Sequence, residues 1–268
     1  MKNIWIIVRA LFLFLSVKIL TVGTLTLLGT QYPNWVSFLV HASAPNSEEL
    51  LVHINNISTF VSSLIIGLVL IWWNPLKKFN TQDNWKSLSP SILIIALVVG
   101  GLGILLNSFM LSFAIDEYNN AVELSKKILS SGWIGISAVV ILVPIIEEVI
   151  FRRICISTLR QEVSAPLAIL LSAFLFGILH IQPAQILGAT MLGVVFGTIY
   201  VLSKSILPSI ILHILNNGLY IIRLMNPDDT QTDFMQYHGL QFWGCFALTA
   251  ILFGGATWLL YKKYKTLK

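Results

Sequence analysis

"GWIGISAVVILVPIIEEVIFRR", residues 132–153, decides how this chain must fold. Its first fifteen residues carry no charge, and Glu147, Glu148, Arg152 and Arg153 then follow within seven positions. A helix needs about 20 mostly apolar residues to cross a bilayer core. The stretch reads as such a helix, predicted to continue to about residue 160. Ionisable groups at membrane depth cost at least about 2.5–3.5 kcal/mol each, which makes them functional candidates by default. On a helix, Glu148 and Arg152 are four apart and share a face, whereas Glu147 points about 100° away. One carboxylate can thus be neutralised while its neighbour faces elsewhere. Snorkelling into headgroups explains the arginines well and the paired glutamates poorly. Arg153 reads as a topology anchor.

The rest of the chain has the same character. Of 268 residues, 56% are hydrophobic and 11% charged, against about 25% charged in soluble domains. The expected fold is an all-α polytopic membrane protein, a single membrane domain over 1–268 with about eight transmembrane helices in one bundle. Candidate spans are 4–29, 57–74, 91–114, 132–153, 166–182, 184–203, 206–224 and 241–261. The tightest part is 130–225. The first span is too long for the about 7–15-residue core of a cleavable leader and is interrupted by Arg9 and Lys18, so it reads as a retained helix. The net charge of +5 is not a nucleic-acid signal, because the basic residues lie mostly beside apolar spans. Cys155 and Cys245 read as packing residues, with no disulfide framework.

Eight spans put both termini on one side. Lys2, Arg9, Lys77, Lys78, Lys86, Arg160, Lys204 and Lys262 to Lys268 then share that side with Arg152 and Arg153. Glu48, Glu49, Asp116, Glu117 and Glu123 with Lys126 and Lys127, then Asp228, Asp229 and Asp233, fall opposite. The positive-inside rule predicts cytoplasmic termini in a multi-pass cell-membrane protein.

Three further polar positions interrupt the spans. "FLFGILHIQP" (174–183) carries His180 one turn after Phe176. "LPSIILHILNNGLY" (207–220) carries His213 and Asn217 on one face, with Asn216 offset. Asn107 reads as packing polarity. Glu147 lies 13 residues before Arg160 and His180 lies 14 after Pro166. At 1.5 Å per residue, an antiparallel hairpin brings both to one height. His213 and Asn217, 5 and 9 residues beyond Pro208, come within a turn or two of that level.

A glutamate and a histidine without a cofactor site suggest water activation. A histidine and an amide make a plausible oxyanion hole. Together they favour hydrolysis of an acyl bond, most simply a peptide bond, since no serine or cysteine has an obvious nucleophile setting. Zinc is a competing reading, with Glu147, His180 and His213 as its ligands, although HExxH is absent. The expectation is no obligatory cofactor, with zinc possible. A non-catalytic membrane partner and a proton-relay transporter are the alternative classes.

"EEVIFR" (147–152), "FGILH" (176–180) and "HILNN" (213–217) read as EExxxR, FxxxH and HxxxN. This ordered triplet resembles the CAAX-protease and bacteriocin-processing (Abi) family of intramembrane proteases over about 130–225. The resemblance implies Glu147 as the base that activates water, assisted by His180. It implies Glu148 in support, Arg152 ion-paired to hold the glutamate helix, and His213 with Asn217 at the oxyanion. Phe176 would pack or line the cavity. Members are often labelled metalloproteases, while the eukaryotic prenyl-protein protease looks glutamate-dependent. The implied partners are the bilayer and a membrane-embedded peptide or protein. The composition looks bacterial, and similar bacterial members are linked to peptide maturation, bacteriocin self-immunity, or control of membrane sensor kinases.

Overall fold

A computed structural model of the chain describes residues 3–40, 47–73, 88–112, 126–180, 183–225 and 239–266. These form nine principal helices: α1 Ile4–Gln31, α2 Pro33–Val40, α3 Ser47–Trp73, α4 Pro90–Leu111, α5 Gly132–Leu159, α6 Ala165–Ile178, α7 Pro183–Ser203, α8 Leu207–Met225 and α9 Leu240–Thr266. Hydrocarbon offers backbone groups no solvent partner, so a helix, which pairs them internally, is the form these apolar runs must take.

Among the described residues, six helices are long and apolar enough to cross a membrane: α1, α3, α4, α5, α7 and α9. Two more occupy expected spans but are shorter as apolar segments, Ala165–Ile178 and Leu207–Ile222. The 14 residues of α6 rise only about 21 Å, less than the roughly 30 Å hydrocarbon core. The chain bends at Leu179 and His180, so the helix stops before the expected end at 182.

Helix α3 departs from the expected start at 57. Its first turns carry Glu48, Glu49, His53, Asn55 and Asn56, too polar to read as a span. The helix survives because key groups find partners. The Ser131 Oγ lies 2.8 Å from His53 Nδ1, and Asn56 Nδ2 donates to Ser131 Oγ at 2.6 Å and to the Lys127 carbonyl at 3.0 Å. An exposed ion pair, Lys127 to Glu48 at 3.2 Å, closes the same end.

The opposite end gathers both chain ends. Asn3 Nδ2 donates to Gln161 Oε1 at 2.8 Å, Ser157 and Tyr200 share a 2.7 Å hydrogen bond, and the Lys204 ammonium sits over the Tyr264 ring.

Helices α5 and α7 carry the core. Ile146, Ile150, Phe151 and Ile154 of α5 pack with Ala10 and Phe14 of α1, Ile66 and Leu70 of α3, and Phe176 of α6. Leu192, Phe196 and Ile199 of α7 pack with Ile92, Ala96 and Val99 of α4, Leu212 of α8 and Leu260 of α9. Helices α6 and α7 approach through small residues, as membrane helices do. A Cβ at Gly193 would stand 2.9 Å from Ala173 Cα, and one at Gly177 would run into Thr190. That closeness sets α6 firmly against its neighbours and so fixes Phe176.

Candidate active site

The motif helix is not a regular α-helix. Within α5, Ala138–Leu142 and Val149–Ile156 are widened to π-helical turns, and the α-helical stretch Val143–Glu148 lies between them. Such turns are rare and concentrate at functional sites. They bracket the glutamate pair.

Each widened turn has a carbonyl engaged by another helix. In the first, the Val143 N–H donates to the Ala138 carbonyl five residues back. The next bond in that series would run from residue 144 to Val139, but Pro144 has no N–H. Asn217 Nδ2 supplies the missing donor, reaching the Val139 carbonyl at 2.9 Å. Asn217 is itself oriented, because its Oδ1 accepts from Asn216 Nδ2 at 3.1 Å. In the second turn, the buried Ser172 hydroxyl of α6 donates to the Phe151 carbonyl at 2.6 Å.

Between these turns the ionisable groups converge. Arg152 Nη1 stands 3.0 Å from Glu148 Oε1, with both side chains almost wholly removed from solvent, at 1% and 0% exposure. His213 Nδ1 lies 2.8 Å from the same carboxylate oxygen. An ionised Glu148 can only accept, so Nδ1 is the donor. His213 Nε2 is thereby turned to Glu147, 3.8 Å from Oε2. Glu147 keeps slight exposure at 13%, while Glu148 keeps none. The two adjacent carboxylates therefore have different surroundings, and Glu147 is the less enclosed of the two.

Aromatic rings frame the charges. The Arg152 guanidinium lies 4.5 Å from the Phe176 ring centre and 5.6 Å from that of Phe196. His213 meets the same two rings at 5.9 and 5.6 Å. His180 packs edge-on against Phe176 at 5.0 Å, with Nδ1 3.1 Å from the Phe176 carbonyl. A carbonyl can only accept, so in the neutral ring Nδ1 carries the proton and Nε2 is the free acceptor.

The buried polar atoms are not fully matched. Among the described residues, Glu148 Oε2 and both terminal nitrogens of Arg152 lack a hydrogen-bond partner of good geometry. The Glu148–Arg152 contact is a close ion pair that is poorly aligned as a hydrogen bond. Native structures rarely leave such groups without a reason, and a reacting centre is one.

Residues 129–219 match the family model described as "Type II CAAX prenyl endopeptidase Rce1-like". The Bacillus subtilis (strain 168) protein named "Putative membrane peptidase YdiL" is 24% identical over 196 residues, which cover 70% of this chain and 79% of that protein. Both matches support the CAAX-protease and bacteriocin-processing family that the three motifs resemble. No solved structure matches it. The matches support a multi-pass membrane protease at family level, and the matched segment contains Glu147, Glu148, Arg152, His180, His213 and Asn217.

The geometry redistributes the expected partnerships. The Glu148–Arg152 pair lies where the four-residue spacing put it. Glu147 was expected to work with His180, and the imidazole found within 4 Å of it is that of His213. His180 joins the cluster through the Phe176 ring. Asn217 was expected only at the oxyanion, and one of its two amide hydrogens is spent on the Val139 carbonyl. Cys155 is buried and Cys245 exposed, and both are free thiols. Sequence reasoning missed Ser172, Phe196 and the Val139 carbonyl. Only the last had a signal, the proline inside an apolar span.

The zinc reading needs Glu147, His180 and His213 as a joint donor set. Among the described residues, no three His, Cys, Asp or Glu side chains assemble in that way. Glu147, His180 and His213 as placed do not form a joint donor set, and no step below passes through a metal.

Proposed function

We propose that the chain is an intramembrane endopeptidase that hydrolyses a peptide bond of a membrane-associated peptide or protein with water activated by Glu147. The observation that supports this most is the divided glutamate pair. Glu148 is sealed against Arg152 and His213, while Glu147 beside it is partly open, with the His213 edge 3.8 Å away. A carboxylate that keeps an oxygen outside a close ion pair can take a proton from water.

In this reading Glu147 removes a proton from water as its oxygen adds to the scissile carbonyl carbon. The carbonyl electrons move onto oxygen. His213 Nε2 and the second amide hydrogen of Asn217 receive that charge. His213 can donate there while bonded to Glu148 only when its ring carries both protons. Two carboxylates, one guanidinium and one imidazolium then sum to zero, which suits a site of low dielectric. On collapse the C–N bond breaks, and the proton held by Glu147 passes to the leaving amine. His180 Nε2 is an acceptor able to orient the incoming water. Arg152 never touches substrate and holds Glu148, which holds His213. Both termini lie in the cytoplasm, as the lysine and arginine bias favours. Peptide maturation, bacteriocin self-immunity and signalling remain the candidate roles.

The test reconstitutes wild type and Glu147→Gln in liposomes with membrane-peptide libraries, and reads new termini by mass spectrometry. Glu147→Gln should cut about 10²–10⁴-fold more slowly with an unchanged melting temperature. A chelator should leave wild-type cleavage intact. Full cleavage by a folded Glu147→Gln protein would overturn the proposal. Chelator sensitivity reversed by zinc would restore the metal reading.

A further inference from the structure

A second feature lies away from the charged cluster, on the lipid-facing side of α6, α7 and α9. There a groove of about 670 Å³ is bounded by Pro166 and Leu170 of α6, by Thr198 and Val201 of α7, and by the α9 stripe Gly254, Trp258, Tyr261 and Tyr264. That volume is in the range of ligand sites, about 300–1,000 Å³. No residue of the Glu147–His213 cluster lines it. Trp258 and Tyr261 remain 54% and 43% exposed.

An apolar groove facing lipid is ordinary, but its rim is not. Three lysines stand on three of its own wall rings. Lys262 Nζ is 3.7 Å from the Trp258 ring centre, Lys265 Nζ is 5.0 Å from that of Tyr261, and Lys204 Nζ is 5.5 Å from that of Tyr264. Snorkelling lysines keep their charged heads at headgroup level, and these three ammoniums lie over rings that line the groove. Lys204 is held there by the backbone. It adopts φ +54° between α7 and α8, and the Ser205 hydroxyl accepts from the Leu207 N–H at 3.2 Å to start the next helix. Helix α6 begins at the groove with no side-chain cap from Ser164, so its positive end adds to the same field.

We propose that this groove binds an anionic phospholipid, with an acyl chain against the α6–α7–α9 wall and the phosphate among Lys204, Lys262 and Lys265. An ammonium resting on a ring face keeps N–H donors for phosphate. A second copy of the chain fits poorly, because a two-fold contact through this face would set lysine against lysine. The site is independent of the peptidase reading.

Native mass spectrometry of the full chain, with added phosphatidylglycerol or phosphatidylcholine of matched acyl chains, tests it. Phosphatidylglycerol should bind at least about tenfold more tightly, given three lysines at the surface. The Lys204→Gln/Lys262→Gln/Lys265→Gln variant should lose that preference. Gly254→Leu should weaken both lipids by filling the groove. A Cβ there meets nothing within 4 Å, so the fold should tolerate it. Equal binding of the two lipids, a preference that survives the triple substitution, or a lipid-free dimer joined through α9 would each overturn the proposal.

Discussion

Two buried polar clusters flank α5, and they differ in kind. Just before its start, His53, Asn56 and Ser131 form a knot with bonds of 2.6 to 3.0 Å. Near its middle, Glu148, Arg152 and His213 form a charged cluster that leaves one carboxylate oxygen and two guanidinium nitrogens without aligned partners. A satisfied network rigidifies, while a partly satisfied one stores cost. The first cluster therefore reads as a staple that fixes where α5 begins. The second tolerates imperfect pairing in exchange for a reactive arrangement. Polarity within a membrane is thus not itself a sign of chemistry, and the completeness of its pairing separates the two cases.

The largest expected effect comes from breaking the charged cluster. Arg152→Met leaves the buried Glu148 without the guanidinium it faces, and should destabilise the protein by about 3–5 kcal/mol. Adding Glu148→Gln removes the stranded charge and should recover most of that loss in detergent unfolding. It should not recover cleavage, because His213 then loses the carboxylate that orients it. If the double variant is as unstable as Arg152→Met alone, the cost lies in lost packing against Phe176 and Phe196 and not in charge.

The staple should respond differently. Ser131→Ala strands His53 Nδ1 and one Asn56 bond, and should cost about 1–3 kcal/mol. Below the resulting lower melting temperature, cleavage by this variant should match wild type. A turnover defect in the folded variant would blur the distinction between staple and site.

The ion pair and the histidines were legible because hydrocarbon penalises charge so strongly that few explanations survive. Glu148 and Arg152 four residues apart required a shared face, and they share one. The polar start of α3 was not legible as helix, because its compensation comes from Ser131 and Lys127, more than 70 residues away. The shortness of α6 was hidden for the opposite reason. Apolar residues continue past Ile178, and hydropathy does not mark where a helix bends. Ser172 had no signal, since a serine in an apolar run looks the same whether it bonds its own helix or the Phe151 carbonyl of another. Ser172→Ala should cost about 1 kcal/mol through loss of the cross-helix bond to the Phe151 carbonyl, read by unfolding in detergent.

Asn217 stands between the two categories, and one cycle of substitutions can place it. Its amide stabilises the widened turn by donating to a carbonyl that Pro144 leaves without a backbone partner. If that bond is its main structural contribution, Asn217→Ala should cost about 1–3 kcal/mol beside Pro144. It should cost clearly less beside Pro144→Ala, where the restored N–H can serve the turn. A coupling above about 0.5 kcal/mol is the expected result, and additivity within about 0.3–0.5 kcal/mol would sink the account. Turnover divides the roles further. Rescue of stability without rescue of cleavage means the second amide hydrogen serves the oxyanion. Rescue of both means that Asn217 acts by shaping the helix that carries Glu147, and that His213 is left as the side-chain donor at the reacting carbonyl.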